Sequence, residues 1–507
     1  MRSRKTLGIV LVLLVALCVL AFVAVKDGGS KSEPKATGEK APSGLTAIYH
    51  QKLSWTDCGA SRCTWVKVPI DYERPAGPTL RLKVKLRPAD GGKPRGVLFI
   101  NPGGPGGSGV EFLGSFAGSA SRGLRESYDI VGFDPRGVGA STPLKCLNDK
   151  QLDVFANSDP DPDNTAEIAE FRRATVDLGD ACQANSGELA AHVSTVEAAK
   201  DMDVMRALLG QKKFDFYGAS YGTQLGATYA TLFPKKVGRM VLDGAVDSSL
   251  SDEQQGIGQA EGFQRALSAY IADCIKSPTC PLGTDPVAAE SKLSDFLQKL
   301  DQDPMKAANG RLLTEGGAFY GIAITLYDRS YWSLLTKELT AAFKGDPGFM
   351  LTLFDAYFER NEDGSYKSNS GQVIYAVRCL DSTDPSSLEE VEKSIPQFEK
   401  ISPAFGRSMG WGALGCTDWP IKSANKQIPI SAKGAAPIVV VGTTRDPATP
   451  YEWAQALAKQ LESGVLLTRE GDGHTGFHVG NECIDGIVDT YFVKGTVPKA
   501  GTECKPS

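Results

Sequence analysis

Over residues 79–87 the apolar positions Leu80, Leu82, Val84 and Leu86 alternate with polar ones. This is the two-residue period of a strand with one covered face, and it predicts an antiparallel strand. Residues 64–71 predict a partner strand before it. Val97, Leu98, Phe99 and Ile100 form a continuous apolar run, the pattern of a central strand covered on both faces. Further strands are predicted at 129–133, 213–217 and 239–242. Between them Ser194 and Glu197 stand at capping-box spacing, opening a helix to about Leu209. A small-residue helix follows over 223–233.

From about Asp247 to Ile430 the strand rhythm stops, and helices with polar loops are predicted, the stretch 361–372 among the loops. Alternation of strand and helix resumes with a strand at 437–441, a helix at 451–461, a strand at 465–468 and a last helix at 484–492. Strands alternating with helices predict a mostly parallel sheet with helices on both faces. The expected division is residues 1–25 as a signal peptide or membrane anchor and 26–45 as a flexible linker. Residues 46–246 and 431–507 form the two parts of the core. Residues 247–430 form a helical lid over the carboxyl edge of the sheet, where ligands bind in such folds.

The chain has 507 residues, with 55 basic and 60 acidic side chains and a net charge of −5. No basic face for nucleic acid follows from such a balance. The amino terminus changes the picture more. Arg2, Arg4 and Lys5 precede an apolar run that begins at Leu7 and ends at Val25. Basic residues stay inside, so the rest of the chain is expected outside the cytoplasmic membrane, secreted or held by this run as a tether. Cysteines agree with export. Apart from Cys18 there are ten: Cys58, Cys63, Cys146, Cys182, Cys274, Cys280, Cys379, Cys416, Cys483 and Cys504. An even number in an exported chain predicts disulfides, with sequence neighbours as the expected pairs. Neither Cys-x-x-Cys nor His-Glu-x-x-His occurs, and no metal is expected.

The candidate chemistry centres on Gly218-Ala219-Ser220-Tyr221-Gly222, between a predicted strand and a predicted helix. Gly-x-Ser-x-Gly in that setting is a nucleophile elbow, which exposes the serine at the tip of a tight turn. A serine hydroxyl needs a base. Of the four histidines, His474 in Gly473-His474-Thr475 follows the last predicted strand, where this chain order needs the base, with His478 as the fallback. His192, just before a capped helix, is expected at the surface. The acid that orients the imidazole is expected to be Asp446, after the strand at 437–441, with Asp243 as its rival. The order Ser220, Asp446, His474 is that of the α/β hydrolases.

Residues 104–109 also spell Gly-x-Gly-x-x-Gly. Pro105 lies inside the match and the turn follows a middle strand, so no dinucleotide cofactor is expected. The better reading is an oxyanion loop, in which a glycine N–H and the N–H of Tyr221 hold the developing negative charge.

Together with these motifs, Trp55-Thr56-Asp57-Cys58, Val68-Pro69-Ile70-Asp71-Tyr72, Asn101 to Gly109, Asp134-Pro135-Arg136-Gly137, Arg378-Cys379, Cys416-Thr417-Asp418-Trp419-Pro420 and Asp446 to Pro450 give the chain a family look. It resembles the secreted actinobacterial tripeptidyl aminopeptidases, α/β-hydrolase serine peptidases related to proline iminopeptidases. The resemblance implies the Ser220, Asp446, His474 triad and suggests Gly104 as the loop oxyanion donor. It implies release of short peptides from free N-termini, with acidic lid groups binding the ammonium. The lid holds many acids, Glu261 among them, and spacing singles none out. Pro102 stands where the iminopeptidases carry histidine. The rival readings are an esterase or lipase acting on cell-envelope or extracellular esters, and a non-enzymatic hydrolase-fold binding protein.

Overall fold

Ten strands share one sheet in the computed structural model, which describes residues 34–425 and 428–506. They are β1 (Thr56–Cys58), β2 (Ser61–Pro69), β3 (Thr79–Arg87), β4 (Gly96–Asn101), β5 (Tyr128–Phe133), β6 (Phe214–Ala219), β7 (Val237–Asp243), β10 (Ile438–Arg445), β11 (Gly464–Asp472) and β12 (Thr502–Cys504); a separate hairpin joins β8 (Met305–Lys306) to β9 (Leu312–Leu313). The order across the sheet is β1-β2-β3-β5-β4-β6-β7-β10-β11-β12. The first pairings, through β3 with β5, are antiparallel and the rest parallel. This is the α/β-hydrolase arrangement, and the register that matters for the site pairs Asn101 with Gly218 and Ala219 with Asp243.

Two-residue periodicity divides the core into two layers. Val97 and Phe99 of β4 join Phe214 and Phe216 of β6 on one face, under the helices Thr195–Leu208 and Tyr221–Leu232. Leu98 and Ile100 join Tyr217 and Ala219 on the other, under Gly109–Ser119 and Glu482–Lys494. Both faces are covered, which is why these strands read as unbroken apolar runs.

Between β7 and β10 the chain leaves the sheet for helices running from Asp252–Cys274 to Ala413–Cys416. These build a core of their own from Phe263, Leu267, Leu293, Ile322, Leu335 and others. Two helices that periodicity had not marked, Asp149–Ala156 and Thr165–Ser186, lie between β5 and β6. They pair with the insertion through Asp153 to Arg360, at 2.7 Å, and Arg172 to Asp418, at 2.6 Å. β12 was also unmarked; three residues are too few for a periodic signal, and its place is set by pairing with β11 and by the bridge from Cys504 to Cys483.

His192 is a correction. It is buried, and its Nδ1 lies 2.7 Å from Glu197 Oε1. Glu197 therefore serves this histidine, and Ser194 makes no side-chain bond to the helix backbone. The same buried cluster holds Arg136, whose guanidinium donates to both Asp201 oxygens at 2.7 and 2.8 Å and to the carbonyls of Pro69, Ile70 and His192. A buried guanidinium needs such full pairing. Burial alone would lower the His192 pKa, but the bond to Glu197 outweighs it and holds the imidazole above its ordinary value.

All ten cysteines pair with their sequence neighbours: Cys58–Cys63, Cys146–Cys182, Cys274–Cys280, Cys379–Cys416 and Cys483–Cys504. Five disulfides indicate an extracytoplasmic setting. No described helix is long and apolar enough to cross a membrane, and the run from Leu7 to Val25 lies outside the described residues.

Peptide mapping without reductant should recover these five bridges. Replacing Cys379 and Cys416 together by alanine, which opens a 37-residue separation, should lower unfolding stability by about 2–4 kcal/mol. Free thiols at these positions in protein from oxidising culture would contradict the connectivity.

Candidate active site

Ser220 joins β6 to the helix Tyr221–Leu232 with φ 55° and ψ −126°. A non-glycine residue here costs on the order of 1–3 kcal/mol and persists only when its surroundings hold it. They do. The Ser220 N–H donates to the Asp243 carbonyl at 2.8 Å, and the Thr223 hydroxyl donates to the Ser220 carbonyl at 2.6 Å. The flanking glycines are required by contact. A Cβ on Gly218 would stand 2.3 Å from the Gly222 carbonyl oxygen, and one on Gly222 2.9 Å from Asn101 Oδ1.

The loop after β4 lies directly on this elbow. Gly103 and Gly104 have φ of 97° and 112°. A Cβ on Gly103 would come within 2.5 Å of the Ala219 carbonyl and 2.8 Å of Ser220 Cβ. Gly104, Ser220 and Tyr221 line one cavity of about 300 Å³. The remaining glycines of residues 104–109 serve packing: Gly106 meets the backbone of Ser370, and a Cβ on Gly109 would stand 2.2 Å from the Phe133 carbonyl.

His474 follows β11, and its Nδ1 lies 2.9 Å from both carboxylate oxygens of Asp446. Asp446, buried after β10, also accepts the N–H groups of Ala448, Thr449 and Thr475 at 2.9–3.1 Å. Thr449 adds a hydroxyl 3.0 Å from Asp446 Oδ2 and 3.2 Å from His474 Nδ1, and it lines the cavity with Ser220. The imidazole packs beside Gly244, one residue beyond the Asp243 that pairs with Ala219. Burial presses the His474 pKa down, but the Asp446 charge and hydrogen bond, with the Asp243 charge, hold it above its ordinary value.

The other candidates fall elsewhere. Asp243 does not bond the imidazole; it accepts the N–H groups of Gly476 and Phe477 and the Tyr217 hydroxyl at 2.8–2.9 Å. Burial raises its pKa to about 6 against those bonds. His478 stacks on Phe477 and has Nδ1 3.1 Å from the Ser119 hydroxyl, and burial lowers its pKa to about 4. Glu261 is exposed and lies outside the cavity wall; the insertion acids on that wall are Asp252, Asp381 and Asp384. Sequence reasoning did not single out Thr449, these acids or Tyr327, whose carbonyl accepts the His474 N–H at 2.7 Å. Thr449 alone carried a signal, three residues after Asp446 in a Pro-rich turn.

Residues 96–333 match the family model described as alpha/beta hydrolase fold, and residues 402–504 match the TAP-like protein model. Over 97% of its length the chain is 38% identical to serine protease Hip1 of Mycobacterium tuberculosis, covering 96% of that protein. The chain belongs to the TAP-like family of α/β hydrolases. It is 35% identical to carboxylesterase B of M. tuberculosis, with 96% of each chain covered. It is 31% identical to tripeptidyl aminopeptidase of Streptomyces lividans, over 90% of this chain and 87% of that one. Membership makes the chain a serine hydrolase, of the protease or esterase kind.

Imidazole NMR checks the electrostatics. His474 should titrate above 6.5 and His478 near 4. Asp446→Asn should move the His474 value downward, because it removes the charge that outweighs burial. An unmoved His474 would contradict the pairing.

Proposed function

We propose that this TAP-like hydrolase is an extracytoplasmic serine exopeptidase that releases short peptides, tripeptides foremost, from free N-termini. In this reading Ser220 Oγ attacks the scissile carbonyl carbon while His474 takes its proton, and Asp446 holds the imidazole and stabilises its charged form. The N–H groups of Gly104 and Tyr221 receive the oxyanion. His474 then protonates the departing amine, and water, activated by the same imidazole, releases the peptide from the acyl-enzyme.

The observation that carries the reading is the cavity. Much of its lining comes from the helical insertion, acting as a lid, and includes Phe319, Tyr320 and Tyr357. Asp252 and Asp381 line the same cavity. A chamber of about 300 Å³ is at the small end of ligand sites. It suits a few residues with a terminal ammonium better than a continuous polypeptide. The names of the Streptomyces and Hip1 relatives support peptide substrates.

Ser220→Ala should lower kcat by roughly 10⁴–10⁶, and His474→Ala about as much, because the two act as one unit. The base must be neutral, so kcat/KM should fall as pH drops through the raised imidazole pKa, giving an acid limb above 6.5. Near-wild-type turnover in either variant would remove the triad.

Tripeptide anilides with a free amine should be cut well and their acetylated forms about 10²–10³ more slowly in kcat/KM, since an acyl group removes the ammonium charge that a cavity carboxylate, Asp252 or Asp381, would pair with. Equal turnover of both forms would indicate an endopeptidase. Turnover of acyl esters alone would indicate the activity named in the carboxylesterase relative.

A further inference from the structure

Outside the lining of the serine cavity, four carboxylates converge where three segments meet. Asp159 and Asp161 lie in the loop between the helices Asp149–Ala156 and Thr165–Ser186. Asp301 lies in the last turn of Pro286–Gln302, and Glu315 opens Glu315–Leu326. One oxygen from each falls within 4.8 Å of all the others.

The cluster is not a solvated surface patch. Glu315 is 5% exposed, and its Oε2 has no hydrogen-bond partner. Asp161 Oδ1 is likewise buried and without one. Partners within the cluster do little to offset this. Asp159 Oδ1 accepts the Asp161 N–H at 3.0 Å. The nearest cation, Arg407, keeps its Nε 3.6 Å from Asp161 Oδ2 and is drawn off by Asp163 at 2.7 Å, the Pro162 carbonyl at 2.9 Å and Glu399 at 3.4 Å. Among the described ion pairs, four carboxylates thus share one guanidinium, itself divided among other acceptors. Such a group repels itself at neutral pH unless a cation or shared protons intervene.

We propose that Asp159, Asp161, Asp301 and Glu315 form a Ca²⁺ site that clamps the loop at 157–164 to the helical insertion. An all-oxygen donor set selects a hard cation. Ligand number selects among these. Ca²⁺ takes six to eight oxygens and accepts several carboxylates at once, whereas Mg²⁺ usually keeps several waters and binds through one or two carboxylates. Four converging carboxylates fit the larger ion. The buried, unpaired Glu315 oxygen supplies the ligand atom that no protein donor serves. Outside the cytoplasm a weak calcium site is filled, because extracellular modules work with Kd of about 10⁻⁴–10⁻³ M.

The test uses the purified, disulfide-intact protein stripped with EDTA. Titration calorimetry with CaCl₂ should find one ion per chain, and saturating CaCl₂ should raise Tm by about 2–4 °C over EDTA. Asp161→Asn and Asp301→Asn should each abolish binding and the shift. In EDTA neither should melt below the unmodified protein, since each relieves repulsion. Should Asp161→Asn fail to fold, Asp301→Asn, at a half-buried position, carries the test. No binding at millimolar CaCl₂ with equal Tm in CaCl₂ and EDTA would overturn the site in favour of shared protons. Calcium stabilisation that persists in Asp301→Asn would overturn these ligands. Equal binding of MgCl₂ would overturn the choice of ion.

Discussion

A carboxylate sealed from water, that of Asp243, is the point on which the site's geometry turns. It ends β7 in register with Ala219, and its backbone carbonyl takes the Ser220 N–H. Its side chain takes the Tyr217 hydroxyl from β6 and the N–H groups of Gly476 and Phe477, just past His474. One residue therefore fixes the strained serine and the histidine loop to a common frame. Its burial would favour a neutral carboxyl, and three donated hydrogen bonds oppose that. Because two backbone N–H groups aim at it, the acceptor cannot be lost without orphaning buried donors. This explains an acid at the place where sequence order offered a rival to Asp446. The two acids divide the work: Asp446 bonds the imidazole, and Asp243 holds the loop that carries it.

The sheet was legible because its signal is repetitive. Residues 79–87 alternate without fault, and β4 reads as an apolar run because Val97 and Phe99 face one layer while Leu98 and Ile100 face the other. The elbow was legible because steric need dictates residue type: Gly218 and Gly222 sit where a Cβ would strike backbone or side chain within 3 Å. Ser220, Asp446 and His474 could be proposed from order because each follows a strand that periodicity marks, and the pairing of His474 with Asp446 follows that order. His192 was misjudged for a definite reason. Its position before a helix looked exposed, but Arg136 and Asp201 bury the polar junction, and that pairing joins residues 65 apart. Long-range ion pairs leave no local pattern. The cavity acids were illegible for the same reason: Asp252 and Asp381 are 129 positions apart and meet only through the packing of the insertion.

That insertion is more than a cover. It has a hydrophobic core separate from those of the sheet. Two bridges, Cys274–Cys280 and Cys379–Cys416, lie within it, and the core-side helices grip it through Asp153 and Arg172. Each of those ion pairs is partly exposed and worth little alone. Their role is to fix orientation, which apolar contact by itself leaves loose.

The insertion also enters the site through its backbone. The Tyr327 carbonyl accepts the His474 N–H at 2.7 Å, and the Tyr327 ring meets the imidazole edge-on at 5.4 Å. Tyr327 lines the cavity as well. A rigid-body movement of the insertion away from the sheet would therefore take a hydrogen-bond acceptor from the residue that holds the imidazole in place. The cavity lining and the placement of His474 are coupled by this one bond. Wide opening would remove this acceptor and loosen the backbone at His474. A hydrolase built this way gains from keeping its insertion fixed and admitting substrate through a fixed mouth. The disulfides, the paired arginines and a cation between Asp161 and Glu315 would all act in that direction.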